Sequence, residues 1–319
     1  MAVEFNTVKM LLWAKNLGVS FEKTLTLGHQ GLECSPDRFR RALRDFGLPV
    51  TQEEIKRCFH RPTMGPLFAD EFFRFLGAKE IAVVDRSDFE GANLLHDLNE
   101  PFSESHRGRY SVVFDGGTLE HIFNYSAALR HCMELVRPGG HFITITPANN
   151  YMGHGFYQLS PELFFRVFSA DNGFVLSKII IFNASKTDAA FYQVTDPAIA
   201  GSRNNLISSH SMLLAILAQR VALTSILAHS PMQSDYVAGW ENFRRSQTNS
   251  TPAYLGLLKR LRVALNPYWP YWLLHWKRAL VSAWNREPSR LSNRRHFQKL
   301  GHRQICGERV SPAKPGNEN

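Results

Sequence analysis

Two histidines, a set of strand-end aspartates and several glycines carry the chemical possibilities of this chain. In Tyr110 to His121 an apolar run, Val112-Val113-Phe114, stops at Asp115, Gly116 and Gly117, and polar Thr118, Glu120 and His121 follow. A second histidine, His154, lies in the glycine-flanked run Gly153-His154-Gly155-Phe156-Tyr157-Gln158. Imidazole changes its charge near neutral pH, so His121 and His154 are candidate general bases. Tyr157 and Gln158 have the polar atoms to orient an acceptor. Asp85 ends the run Ile81-Ala82-Val83-Val84, and Asp97 follows Asn93-Leu94-Leu95-His96. A carboxylate at such a position can accept hydrogen bonds from a ribose diol. Gly28-His29-Gln30-Gly31 closes Thr24-Leu25-Thr26-Leu27 and lets backbone come close to a ligand. Each feature also has a plainer reading. The glycine loop can be a turn, Asp85 a helix cap, His121 a brace, the 151–160 loop a packed lid, and Glu120 a structural hydrogen-bond partner.

The elements that must position these groups alternate. Residues 7–17 read as a short amphipathic helix, and 24–27 as a first strand. Ser35-Pro36 opens a helix that runs to about Phe46, with a serine cap and proline in the first turn. Residues 51–60 and 68–76 read as helices. Strands are expected at 81–84, 93–96, 110–115, 141–146 and 174–182, and helices at 125–136 and 161–169. Strands alternating with helices imply parallel βαβ units, hence an α/β, Rossmann-like, doubly wound and mostly parallel sheet with helices on both faces. The apolar stretch 211–229 reads as a buried helix. A membrane span there is disfavoured by Gln219 and Arg220 at its centre. Residues 253–264 also read as helical.

Composition bounds the class. With 319 residues, 44% apolar and 20% charged, the chain is ordinary globular material. The four cysteines form no CxxC pair, so no disulfide framework or structural zinc site is expected, and the sequence points to no metal site. The start Met-Ala-Val-Glu has no basic, apolar leader pattern, which points to a cytoplasmic protein. Residues 253–319 hold 13 Lys and Arg against 3 Glu, a net of +10, so the total of +9 belongs to the tail. The expected division is a Rossmann-like domain over 1–200, a helical basic extension over 201–285 and a disordered tail over 286–319. Residues 266–284 hold four of the six tryptophans, with basic residues after them. Docking on the domain, peripheral contact with an anionic inner-membrane surface, and stacking on nucleic acid all fit that mixture. No nucleic-acid recognition motif is present.

Residues 20–182 resemble the class I S-adenosylmethionine-dependent methyltransferases. Val-Val-Phe-Asp-Gly-Gly-Thr-Leu-Glu-His (112–121), spaced from Val-Arg-Pro-Gly-Gly-His-Phe (136–142), is similar to that superfamily's fourth- and fifth-strand motifs. The stretches 85–92, 96–99, 147–162 and 233–236 resemble a bacterial methyltransferase-like subgroup of mostly unassigned substrate. The resemblance implies S-adenosylmethionine as cofactor. It implies a cofactor site made by Gly28, Gln30, Gly31, Asp85, Asp97, Leu98, Asp115 and Gly116. Gly28 and Gly31 would pass under the methionine part, Asp85 would bind the ribose hydroxyls, Asp97 and Leu98 would frame the adenine, and Asp115 and Gly116 would approach the sulfonium end. His121 and His154 would then serve as bases, with Tyr157 and Gln158 at the acceptor. The first motif departs from the family pattern of an acid followed by Gly-x-Gly-x-Gly: Leu25-Thr26-Leu27-Gly28-His29-Gln30-Gly31 has no acid. Methylation of a small molecule or saccharide precursor is the leading expectation. A non-catalytic member that binds cofactor or a partner is the alternative, and a dehydrogenase is disfavoured because the dinucleotide glycine fingerprint is missing.

Overall fold

The computed structural model describes residues 2–61, 65–248, 276 and 289–307. A nine-stranded sheet runs through it in the order β11-β9-β8-β10-β7-β6-β2-β4-β5. The strands are β2 (Lys23–Leu27), β4 (Glu80–Asp85), β5 (Leu94–Leu95), β6 (Tyr110–Asp115), β7 (Val136–Asn149), β8 (Phe174–Asn183), β9 (Tyr192–Val194), β10 (Met212–Arg220) and β11 (Phe297–Lys299). A small separate sheet pairs β1 (Ala2–Glu4) with β3 (Gly31–Glu33) in parallel. Neighbouring strands among β5-β4-β2-β6-β7 are all parallel. Numbered as they occur among themselves, those five stand in the order 3-2-1-4-5, the doubly wound arrangement. Its switch point lies between β2 and β6, where ligands of such sheets bind at the carboxyl ends.

Side chains alternate across the sheet, and both faces are covered. Val112 and Phe114 point into a core with α1 (Phe5–Asn16), α2 (Pro36–Asp45), α3 (Gln52–Cys58) and α4 (Asp70–Leu76). Val113 and Phe142 point into the opposite core with α5 (Tyr125–Leu135) and α6 (Pro161–Val167). Ser35 caps α2, its hydroxyl accepting from the Arg38 amide, and Pro36 fills the first turn, as expected. The helix expected at 7–17 begins at Phe5 and is buried nearly all round rather than on one stripe, from Phe5 to Ala14.

The largest correction concerns 211–229. Its first half, Met212–Arg220, forms β10, an antiparallel strand inserted between β7 and β8, and 221–229 follows without a helix. Leu214, Ile216 and Ala218 face one core while Ala215 and Leu217 face the other. A strand buried on both faces has a continuous apolar run, which periodicity alone does not separate from a buried helix. Arg220 is not mid-span but ends the strand, 4% exposed. Its guanidinium donates to the carbonyls of Glu134 (2.9 Å) and Val136 (2.7 Å), satisfying the end of α5. Among the described residues no helix is long and apolar enough to cross a membrane.

The tail is corrected in part. Residues 289–307 are ordered: β11 pairs with β9 at the sheet edge, Phe297 and His296 are buried, and α9 (His302–Cys306) follows. The expected helix at 253–264 lies outside the described residues, as does all of the aromatic stretch 266–284 except Trp276. A short helix, α7 (Pro197–Ala200), precedes β10, and a 15-residue helix, α8 (Ser234–Thr248), follows it.

Candidate functional site

The carboxyl ends of β2, β4, β6 and β7 bring most of the expected groups to one edge. Gly28 follows β2 with φ +71°, a left-handed conformation that favours glycine, and its amide donates to the Val84 carbonyl. A Cβ there would stand 3.8 Å from Asp85 Oδ2 and 3.4 Å from Thr118 Oγ1. Asp85 turns Oδ1 to the amides of Arg86 (2.6 Å) and Ser87 (3.3 Å), so its other oxygen faces the Gly28 turn. Asp97 sits beyond β5, with Oδ1 held by Asn99 and Oδ2 3.7 Å from Arg86.

Four expected cofactor contacts have different surroundings. Asp115 is completely buried. Its Oδ1 accepts from the amides of Gly117 (3.1 Å), Thr118 (2.7 Å) and Leu119 (3.4 Å), and its Oδ2 from the Thr144 hydroxyl (2.8 Å). The carboxylate ties the turn after β6 to β7 and shows no atom to a ligand. Gly116 is covered by the amide of Gln30: a Cβ at Gly116 would be 2.1 Å from Gln30 Oε1. Gly31 is not in the turn but begins β3, paired with Ala2 and bridged to Phe68. Leu98 is 5% exposed and belongs to the core beneath α5.

Gln30 is itself informative. It is 2% exposed, and its Nε2 donates to the Leu27 carbonyl at 2.6 Å. Its Oε1 is buried with no donor. The Thr118 hydroxyl reaches the same Leu27 carbonyl at 2.8 Å. Together the two side chains fill the switch point. His29, next in the turn, stacks on Phe68 at 3.5 Å and joins Asp70 (2.7 Å) to the Glu90 carbonyl (2.6 Å). Burial works against its charge, but those two acceptors outweigh it and raise its pKa, while Asp70 is held below its ordinary value by His29 despite burial. His29 therefore braces the β2 turn against the loop after β4. Nothing in the sequence marks that role, because Asp70 is distant in the chain.

The acceptor side lies over β6 and β7. Glu120 and His121 end a short 3-10 turn (Leu119–His121), and His154 comes from the loop after β7. The two imidazoles meet edge-to-face with ring centroids 4.8 Å apart, and His154 Nε2 is 3.5 Å from Glu120 Oε1. Gly155, at φ +66°, lies against Glu120: a Cβ would stand 2.9 Å from its carbonyl oxygen, which also accepts from the Phe156 amide at 2.8 Å. Glu120 is fully buried, yet neither of its carboxyl oxygens has a hydrogen-bond donor. Burial, then the charge of Asp115, push it up to about 8. Burial also raises Asp115, but its four donors make it the charged member of the pair. The His121 pKa is lowered by burial and by His154, and the Tyr151 hydroxyl is pushed up to about 12, chiefly by burial. Tyr157 and Gln158 are engaged inside the loop, Tyr157 donating to the Phe123 carbonyl at 2.6 Å and Gln158 accepting from the Tyr151 amide at 2.8 Å. Phe123 and Phe156 are 77% and 66% exposed, in edge contact beside the histidines.

No family model matches the sequence, and no curated protein matches it. The chain is similar to several solved structures. One is a candidate methyltransferase from Bacillus halodurans C-125, at 12% identity over 68% of this chain and 100% of that one, TM-score 0.36. Another is the Burkholderia thailandensis 1,6-didemethyltoxoflavin-N1-methyltransferase with S-adenosylhomocysteine bound, at 13% over 68% and 78%, TM-score 0.35. A third is the branched-chain polyamine synthase of Thermus thermophilus with 5'-methylthioadenosine, at 14% over 72% and 60%, TM-score 0.33. Likeness at this level extends to proteins with different reactions. The doubly wound fold stands on the strand order itself.

Proposed function

We propose that the protein is an S-adenosylmethionine-dependent methyltransferase acting on a small molecule or a saccharide precursor. The observation that carries the reading is the pairing of Gly28 with Asp85 at the carboxyl ends of the neighbouring strands β2 and β4. A glycine in left-handed conformation leaves room beside a carboxylate oxygen at the end of the neighbouring strand. That is the geometry in which open α/β sheets hold a ribose diol. Gln30 covers Gly116 and is itself buried, so its amide would have to turn outward to meet the cofactor's methionine end. The cofactor supplies an electrophilic methyl group on a cationic sulfur. The chain's contribution is to fix the acceptor close and in line with that group. Neutral His121, or His154 beside it, would take the acceptor's proton. The exposed rings of Phe123 and Phe156 give a flat acceptor an apolar face.

Calorimetry with S-adenosylhomocysteine tests this reading. The full chain is expected to bind it and to ignore NAD, and Asp85→Ala is expected to weaken binding about tenfold, the worth of a charge-assisted hydrogen bond. A second reading, a non-catalytic member of the fold, is favoured by the seat of Gln30 across Gly116. Turnover of S-adenosylmethionine with an acceptor separates the two, and Gln30→Ala reports on the cofactor site in either. Weaker binding of S-adenosylhomocysteine supports Gln30 as a cofactor contact. No binding by either protein at millimolar ligand refutes the enzyme reading.

A further inference from the structure

A fully buried carboxyl whose one basic neighbour, His154 Nε2, stands 3.5 Å away needs a physical explanation. Glu120 is 0% exposed, and neither Oε1 nor Oε2 receives a hydrogen bond. Such groups are costly unless they are paired, neutralised or coordinate a metal. Facing this carboxyl are two imidazoles, and one ligand atom from each of Glu120, His121 and His154 lies within 4.8 Å of the other two. We propose that these three residues bind a divalent transition-metal ion.

The donor set decides the class of ion. Two imidazoles and one carboxylate suit zinc or iron(II), whereas calcium and magnesium take oxygen ligands. Donors sharing an ion at about 2.0–2.2 Å stand about 3.3 Å apart in a tetrahedral arrangement. Glu120 Oε1 and His154 Nε2 already have nearly that spacing, at 3.5 Å. The third donor comes from His121, which is exposed and whose ligand nitrogen lies within 4.8 Å of the other two donor atoms.

The fold builds the cluster rather than leaving it to chance. β6 and β7 are parallel neighbours, so the turn after one and the loop after the other emerge at the same edge. The loop is then pinned on Glu120 by the Phe156 amide and by the close approach of Gly155. His154 keeps 38% of its side chain exposed, so further ligands can reach the ion from solvent. Three protein ligands with an open side is the pattern of sites that exchange a ligand.

The inference does not depend on methyl transfer, and it is read out with metal alone. A nitrogen that holds an ion cannot also accept a proton, so metal binding and the base roles of His121 and His154 exclude one another. The test uses the full chain stripped with a chelator and titrated with Zn²⁺, and separately with Co²⁺ for its visible spectrum. One equivalent is expected to bind. His121→Ala and His154→Ala are each expected to weaken binding at least tenfold and to alter the Co²⁺ spectrum. Exposed His60→Ala should behave like the parent. Glu120→Gln keeps the side chain's shape, so it serves if a histidine variant fails to fold, and it too should lose affinity at least tenfold. Failure to retain Zn²⁺ at micromolar protein would overturn the proposal. So would binding unchanged in both histidine variants, or displacement of Zn²⁺ by equimolar Mg²⁺.

Discussion

At the scale of single residues, position in the sequence and role in the structure separate most clearly at Asp115. It stands where a strand-end acid would meet a ligand, but it spends both oxygens on the protein. Three backbone amides and the Thr144 hydroxyl converge on it in a site with no exposed atom. Asp115→Asn replaces one acceptor oxygen by a donor that faces donors. It should destabilise the fold by about 2–4 kcal/mol, as breaking a buried charged network does, and urea denaturation measures it. A loss below about 0.5 kcal/mol would show that the carboxylate is not the tie described. Asp85, by contrast, was legible, because an apolar run ending in an acid places that acid at a strand end. The burial of Asp115 was not, because no local pattern tells which strand-end acid will be covered by its own turn. The sequence presents Glu120 as a structural hydrogen-bond partner, whereas in the structure its one basic neighbour is His154 Nε2 at 3.5 Å. Its surroundings depend on what β7 and its loop bring to it, not on its neighbours in the chain.

Among the elements, β10 shows where sequence periodicity stops being informative. The βα alternation from β2 to α6 could be read because β2, β4 and β6 are short apolar runs that end in turn residues, and α2 and α5 carry a cap or an apolar stripe. Met212–Arg220 has neither signal: both faces are buried, so every position is apolar until Gln219. The one discordant residue, Arg220, argued rightly against a membrane span but for a reason visible only in the fold. It closes the C-terminal carbonyls of α5 from the end of a strand 84 residues beyond Val136. Arg220→Met keeps much of the apolar stem and removes every donor. Stranding carbonyls that water does not reach costs about 1–3 kcal/mol each, so the variant should lose about 2–4 kcal/mol by urea denaturation. An unchanged midpoint would mean that those carbonyls find water instead.

For the molecule as a whole, the sheet is completed from distant parts of the chain. β10 enters its interior and β11 its edge, so segments expected as an appended helix and a disordered tail belong to the same sheet as the candidate site. The stability of that shared core carries a pH signature with opposing contributions. His141, at the start of the glycine-led half of β7, is pushed down to about 4 by burial. Its unfolded form takes a proton near pH 6.5, so between pH 6.5 and 4 the unfolded chain binds more protons at this site than the folded one. Its contribution is therefore complete above pH 6.5 and is lost as pH falls toward 4. Glu120 works the other way. Raised to about 8, it favours the folded state increasingly as pH falls from 8 toward its unfolded value. The parent's own pH profile mixes the two, but the difference between His141→Leu and the parent isolates the histidine. On going from pH 7 to pH 5 the parent should lose about 2 kcal/mol relative to the variant. Parallel urea denaturation at the two pH values measures it. Curves that stay parallel would show that His141 is as accessible to protons in the sheet as in the unfolded chain.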